Sequence, residues 1–174
     1  MRNWFGLFLI VMFSLVIGCG QKITEEQLRA KALDFENKEM WEKEVETLER
    51  LQKKYPSSEK ADEYLYKLGV SYANNLKEFK KSIDSYQRLV TKYPDSKYVI
   101  QSTFMIGYRY ANDVKDLAKA KTAYESFLAK YPDHELASSV KWELDHLGQD
   151  ISEIELQLGN AARDSQAETQ AAQK

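Results

Sequence analysis

The sequence predicts an all-α protein, a solenoid built from repeated helical hairpins. Two observations predict this fold class. The chain repeats itself at a constant spacing, and within each repeat the apolar residues fall at helical spacing on both sides of a short turn. Hairpins of this kind bury their apolar faces by stacking on one another, which produces an extended array.

The repeat is clearest in the triplet Lys-Tyr-Pro. It occurs at residues 54–56, 92–94 and 130–132, so the spacing is 38 residues in both steps. A gapless shift by this spacing aligns further identical residues. They are Ser58 with Ser96, Gly69 with Gly107, Tyr72 with Tyr110, Ala73 and Asn74 with Ala111 and Asn112, Lys77 with Lys115, Lys81 with Lys119, and Tyr86 with Tyr124. So many identities at one spacing indicate a tandem repeat.

The second half of each repeat predicts a one-sided helix that ends at the triplet. Its apolar residues are Trp41, Val45, Leu48 and Leu51, then Phe79, Ile83, Tyr86 and Leu89, then Leu117, Ala120, Tyr124 and Phe127. Proline cannot continue a helix, and lysine suits the negative end of the helix dipole. Oxygens that are expected to cap the following helices belong to Ser57 and Ser58, to Asp95 and Ser96, and to Asp133.

The first half of each repeat carries a leucine or isoleucine, then a glycine, then a tyrosine. These residues are Leu68, Gly69 and Tyr72, which recur as Ile106, Gly107 and Tyr110. We expect the glycine to let the two helices of a hairpin approach closely, and the tyrosine one turn later to cover the contact.

This pattern resembles the tetratricopeptide repeat, which carries Leu-Gly and Tyr on its first helix and an aromatic, Ala and Tyr before a closing Pro on its second. The usual repeat has about 34 residues, and the additional residues fall after Tyr-Pro and before Phe79. A longer turn after Tyr-Pro is similar to the envelope lipoproteins of the BamD and YbgF group. The resemblance covers about residues 24–148 and implies a protein-binding solenoid of about three repeats with capping helices.

Both ends of the array depart from the repeat. Residues 24–38 predict a helix with a capping box of Thr24 and Gln27, but they lack the Leu-Gly pair. The last unit predicts one helix over residues 134–147, ended by a left-handed Gly148. A capping helix with a box of Ser152 and Glu155 is expected to close the domain, which spans residues 24–158, and residues 159–174 are expected to be disordered.

The N-terminus predicts a lipoprotein signal peptide over residues 1–18. Arg2 precedes fourteen uncharged residues, a run too short to span a bilayer comfortably, since a spanning helix needs about 20 residues. Val16, Ile17 and Gly18 then lead into Cys19, the single cysteine of the chain. This resembles a lipobox, which implies cleavage before Cys19, acylation of its thiol and a short linker over residues 19–23. The alternatives are an uncleaved anchor helix and an ordinary signal peptide with an incidental cysteine.

The composition gives no reason to expect a nucleic-acid partner. The formal net charge is −2, acids and bases alternate along the chain, and loss of Arg2 with the signal peptide would make it more negative.

By resemblance to enterobacterial lipoproteins, Gly20 after the cysteine implies the outer membrane, at its periplasmic face.

Catalytic and metal-binding motifs are absent from the sequence. The two histidines, His134 and His146, have no motif partner nearby and are expected on the surface, and none of the seven glycines forms a phosphate loop. The sequence therefore predicts no enzyme, no cofactor and no metal. A pair of carboxylates at glycosidase spacing is the open alternative.

One stripe of each first helix is expected to line a partner-binding groove. The candidate residues are Tyr66, Lys67, Val70 and Asn74, then Phe104, Met105, Tyr108 and Asn112, then Trp142. Tyr66, Phe104 and Trp142 recur at 38 residues as an aromatic column, which is interpreted either as packing or as a site for apolar side chains of an extended or helical segment. The partners expected are therefore other envelope proteins or peptide segments.

Three functions are compatible with these features. The first is a lipid-anchored scaffold in outer-membrane β-barrel assembly, which the resemblance implies. The second is coordination of the cell envelope through the Tol-Pal system, or a pilotin-type role. The third, of another class, is an envelope hydrolase or a small-ligand binding protein, for which the sequence offers no constellation.

Overall fold

The structure is a computed structural model that describes residues 23–149, a range that is helical with no strand. The predicted all-α fold class is confirmed. The helices are α1 (Glu25–Asn37), α2 (Trp41–Lys54), α3 (Ala61–Asn74), α4 (Phe79–Lys92), α5 (Val99–Arg109), α6 (Leu117–Lys130) and α7 (Ala137–Asp145). A π-helical segment, Tyr110–Val114, continues α5 directly.

The helices form a chain of neighbours. Helix α1 packs on α2, α3 on α4 and α5 on α6, and each hairpin also packs on the first helix of the next unit. Helix α7 packs on α6 as the first helix of a fourth unit. This pattern of neighbour contacts is that of a solenoid, and it leaves one face of α1, α3, α5 and α7 without a covering helix in the described range.

The predicted helix ends are confirmed at the three triplets. Helices α2, α4 and α6 end at Lys54, Lys92 and Lys130, and the tyrosine that follows each lysine donates its backbone N–H to the last turn. The capping box at the start of α1 is confirmed as well. Thr24 Oγ1 accepts from the Gln27 N–H at 3.2 Å, and Gln27 Oε1 accepts from the Thr24 N–H at 2.9 Å.

The predicted side-chain caps of the following helices are wrong, because α3, α5 and α7 begin without a side-chain cap hydrogen bond. Ser58 Oγ accepts from the Lys60 N–H and Ser96 Oγ from the Tyr98 N–H, each at 3.1 Å, so both serines close the turn just before the helix. In the third turn His134 Nδ1, and not an oxygen of Asp133, accepts from the Leu136 N–H at 3.1 Å. His134 lies at the register of the two serines, and a ring nitrogen there replaces their hydroxyl oxygen.

The turn inside each hairpin repeats a left-handed residue. Glu39, Lys77 and Lys115 have φ angles of 55°, 57° and 60°, and they follow one another at the 38-residue spacing. A left-handed residue reverses the chain between the first and second helix. None of the three is glycine, so each carries the steric cost of a Cβ in this region.

The closest contact within a hairpin joins a glycine and a buried tyrosine. A methyl group added at Gly107 would lie 2.5 Å from Cε1 of Tyr124, and Gly69 meets the ring of Tyr86 in the same way. The sequence assigned this contact to Tyr72 and Tyr110, which is wrong. The covering ring comes from the second helix, because α4 and α6 cross the first helices at the glycines.

Hydrogen bonds of side chains hold the turns after the second helices. The Tyr55 hydroxyl donates to the Ile23 carbonyl of the same unit at 3.1 Å, and the Tyr93 hydroxyl donates to the Pro56 carbonyl in the turn after the preceding unit at 2.7 Å. The carboxylate of Glu25 accepts from the hydroxyls of Ser58 and Tyr64, and these bonds lower the pKa of Glu25. The turns after the helices therefore hold one unit against the next.

The C-terminal end of the described range differs slightly from expectation. Helix α7 spans Ala137–Asp145, shorter than the predicted 134–147 at both ends. The residues before Ala137 form the His134 turn, and His146 is the C-cap. Gly148 has a φ of 83°, as predicted. The signal peptide, Cys19, the linker up to residue 22, the box of Ser152 and Glu155 and the tail over 159–174 lie outside the described residues.

The Gly107→Ala variant is expected to be less stable by about 1–2 kcal/mol. Overpacking against a buried ring costs about 1–3 kcal/mol, and the better helix propensity of alanine returns up to about 1 kcal/mol. Urea unfolding measures the difference. Asp145→Ala is the matched control, because Asp145 is exposed at the same register of α7. A Gly107→Ala variant as stable as the wild type would contradict the close contact.

The Lys77→Gly variant is expected to be more stable by about 0.5–1 kcal/mol, because glycine adopts the left-handed conformation without the steric cost of a Cβ. The Gln87→Gly variant, in which glycine replaces an exposed residue inside α4, should be less stable by about 1 kcal/mol. Urea unfolding of both variants tests the opposite signs. A loss of stability in Lys77→Gly would show that the turn is not strained.

Candidate functional site

The candidate site is a surface formed mainly by α1, α3, α5 and α7, to which a few residues of the second helices, such as Glu44 and Leu117, also contribute. We call it the first-helix face. It carries three cavities. The N-terminal cavity, of about 360 Å³, lies beside Leu33, Leu48 and Glu63; the central cavity, of about 230 Å³, lies beside Glu44, Tyr66 and Tyr98; the C-terminal cavity, of about 580 Å³, lies beside Tyr108, Leu117 and Trp142.

Tyr66 is half-buried and lines the central cavity. Its ring stacks on Tyr98, with 4.5 Å between ring centroids and 15° between the planes. Val70 lines the same cavity, and Lys67 Nζ pairs with a carboxylate oxygen of Glu36 at 2.6 Å. Three of the predicted groove residues, Tyr66, Lys67 and Val70, therefore lie together around one cavity.

Phe104 is more buried than we expected for a residue of the aromatic column. It is half-buried and packs against the core cluster formed by residues of the described C-terminal units, with its ring centroid 6.5 Å from Tyr124 and 6.0 Å from Tyr108. Met105 beside it is also half-buried. Part of the Phe104 ring therefore serves the hairpin itself, and truncation of this residue would disturb the fold as well as the face.

Trp142 is the most open ring of the column. It is 48 % exposed, it stacks on His146 at 4.5 Å between ring centroids, and it lines the C-terminal cavity with Tyr108 and Asn112. Leu117, which is 42 % exposed, lies on the same cavity. Two large apolar side chains thus remain exposed at the same place.

The remaining candidate, Asn74, takes part in a contact between units. Its Oδ1 accepts from Arg109 Nη2 at 2.9 Å, and Arg109 Nη1 pairs with Asp113 at 2.9 Å. Asn112, one repeat later, donates to the Tyr108 carbonyl at 3.2 Å. Both asparagines are exposed at the face, but their side chains are engaged within the protein.

Sequence reasoning missed Glu44, on α2. This carboxylate is only 2 % exposed, and it lies at the register of Ser82 and Ala120, which are also buried. It lines both the N-terminal and the central cavity. The 38-residue alignment contains the signal that could have found it, namely an acidic residue at a position that is small in the other two units.

The surroundings of Glu44 make its charged form costly. Glu44 Oε2 accepts from the Ser71 hydroxyl at 2.9 Å, and no lysine or arginine of residues 23–149 lies within 4.0 Å of its carboxylate. Burial raises the pKa of Glu44, the Ser71 hydrogen bond opposes this, and the nearby Glu36 carboxylate adds to it. Lys67 lowers the pKa by the smallest effect of the four.

The histidines are engaged locally. His134 accepts a backbone N–H and meets the edge of Phe127, and His146 Nδ1 lies 2.8 Å from the Trp142 carbonyl; both are half-buried. Within residues 23–149 no three histidine, cysteine or acidic side chains are grouped as a metal site. None of the helices in this range is both long and apolar enough to cross a membrane.

Comparison with protein families identifies the repeating unit. A family profile described as a tetratricopeptide repeat matches residues 29–58, 63–96 and 104–134. Together the three matches span more than half of the chain, and each one runs from a first helix into the turn after the second helix. A search of curated proteins found no match.

Glu44→Gln is expected to gain stability relative to the wild type as pH rises. An acid with a raised pKa binds its proton more tightly in the folded chain, so wild-type stability falls as pH increases from 4.5 through the folded value. Glutamine has no such proton. Urea unfolding at several pH values measures the difference in free energy of unfolding between the variant and the wild type. This difference should be constant at pH values below 4.5.

The matched control for this experiment is Glu46→Gln, because Glu46 is exposed on the same helix. The charged groups that share the two cavities with Glu44 are unchanged in both variants; they are Glu26, Arg29, Glu36, Glu63 and Lys67. A pH-independent difference between Glu44→Gln and the wild type would contradict the raised pKa.

Proposed function

Because the chain belongs to the tetratricopeptide-repeat family, whose repeats are typically non-catalytic protein-interaction modules, we propose that it is a lipid-anchored scaffold of the bacterial envelope. It binds a segment of another protein at the first-helix face. The observation that carries the binding role is the pair of exposed apolar side chains, Trp142 and Leu117, on one cavity of that face.

The C-terminal cavity is suited to an apolar anchor from a partner. Exposed tryptophan is enriched among residues that dominate binding energies, and apolar side chains at the centre of an interface are better desolvated than those at its rim. The cavity volume of about 580 Å³ can hold more than one side chain. Tyr108 and Asn112 at its edge provide a polar rim.

The proposed anchor is Cys19, acylated after cleavage of residues 1–18. Three residues separate Cys19 from Ile23, whose carbonyl accepts from Lys54 Nζ at 2.5 Å and from the Tyr55 hydroxyl at 3.1 Å. Four chain steps reach at most roughly 14 Å. A lipid at Cys19 would therefore hold the turn after α2 close to the bilayer.

The proposed process is the assembly of outer-membrane β-barrel proteins, at the periplasmic face of the outer membrane. It is supported by the lipobox-like segment before Cys19 and by the Tyr-Pro turns, which resemble those of envelope lipoproteins. Coordination through the Tol-Pal system and a pilotin-type role would use the same lipid anchor and the same protein-binding face. The identity of the bound protein distinguishes these processes.

The Trp142→Ala variant is expected to lose partner capture and keep its fold. A photo-reactive residue at the exposed Ser139 of α7 is crosslinked in intact cells, and the captured proteins are identified by mass spectrometry. Loss of an anchoring ring should weaken binding by about 2 kcal/mol or more. Capture of the barrel-assembly machinery or of unfolded outer-membrane proteins is expected.

Lys141→Ala is the matched control, since Lys141 is exposed on the same helix and does not line the C-terminal cavity. Cys19→Ser should move the protein out of the membrane fraction and abolish labelling by palmitate. Capture of Tol-Pal or secretin components would replace the proposed process, and capture unchanged by Trp142→Ala would remove the face from the proposal.

A further inference from the structure

The central cavity of the first-helix face is lined by three carboxylates, those of Glu36, Glu44 and Glu63. We infer that it is a subsite for one cationic side chain, a lysine or an arginine, of the segment that binds to this face. The inference rests on the proposed protein-binding role. It adds the requirement that the bound segment carry a positive charge, which the aromatic column does not impose.

The first step is the position of Glu44 at this cavity. Only 2 % of Glu44 is exposed. The residues at the same register of the other two units are Ser82 and Ala120, so the hairpin does not need an acid at this position. Oε2 accepts from Ser71, whereas Oε1 has no hydrogen-bond partner among residues 23–149. A buried carboxylate without a cation is costly, so a ligand that supplies one would be favoured.

The second step is the charge balance of the cavity wall. Three carboxylates, those of Glu36, Glu44 and Glu63, line it with a single ammonium group, that of Lys67. Lys67 is engaged by Glu36 at 2.6 Å, and Glu63 lies 3.9 Å from Lys60. The cavity therefore keeps an excess of negative charge that faces solvent, and Glu44 lies at its most buried point.

The third step is the shape of the cavity. Its volume of about 230 Å³ is below the range of about 300–1,000 Å³ that small-molecule sites occupy, and it suits one side chain. Val70 and the stacked rings of Tyr66 and Tyr98 form its apolar wall. Lysine and arginine have this combination, an apolar stem that packs on such a wall and a charged head that reaches the carboxylates.

The spacing of the carboxylates favours an organic cation over a metal ion. Within residues 23–149 these acids are not close enough together to form a metal-binding group of three. A guanidinium or ammonium group carries several N–H donors in different directions, so it can reach carboxylates that are spread around a cavity.

The experiment uses the full chain in detergent micelles and three small probes. They are the N-acetyl methylamides of arginine, lysine and norleucine, of which norleucine has an apolar stem without the charge. The backbone NMR signals of Tyr66 and Ser71 should shift saturably with the arginine or lysine probe. They should not shift with norleucine at the same concentrations. Equal shifts with norleucine would overturn the inference.

Glu44→Gln should weaken binding of the cationic probe by about tenfold, as expected when one partner of a buried charged hydrogen bond is neutralised. Glu44→Ser copies the residue at this register of the second unit, so it is a second variant that removes the carboxylate. Glu46→Gln, exposed on the same helix, is the control. Unchanged affinity in both Glu44 variants would also overturn the inference.

The result can be separated from a failure of the proposed function. If capture through Ser139 depends on Trp142 while no cationic probe binds, the charge requirement falls and the scaffold role stands. If the cationic probe binds and depends on Glu44 but no protein is captured, the subsite stands and the proposed scaffold role falls.

Discussion

The contact between a glycine of the first helix and a tyrosine of the second holds each complete hairpin together. Tyr86 and Tyr124 are 1 % and 0 % exposed, and their rings occupy the space that a side chain at Gly69 or Gly107 would need. Close packing of this kind tolerates little change of volume. Because the second helix supplies the ring, the opposite face of the first helix is free to bind something else.

The same arrangement explains why the units can differ at their outer faces. The turns after the second helices take part in the bonds between units, through the hydroxyl of Tyr93 and through the carboxylate of Glu25, which accepts from Ser58 and Tyr64. The aromatic column of the first-helix face does not have to supply these bonds. Trp142 can therefore stay exposed in the last unit, whereas Tyr66 stacks on Tyr98 in the second.

The first unit shows what replaces the glycine and tyrosine pair. Leu48 stands at the register of Tyr86 and Tyr124, and it packs in the same core cluster as Leu28 and Ala32. Glu44, one turn earlier on α2, is buried beside this smaller core. The unit that departs most from the repeat thus carries the buried acid, and the central cavity lies where this unit meets the next.

The sequence by itself determined the repeat, the ends of α2, α4 and α6, and the apolar stripes, because these depend on proline chemistry and on spacing along one helix. Only the tertiary structure determined that Tyr86 and Tyr124 cover the glycines, that Phe104 is half-buried and that Glu44 is enclosed. Periodicity indicates which side of a helix turns inward. The depth of each side chain depends on how neighbouring helices cross, and that is set by contacts between residues far apart in the chain.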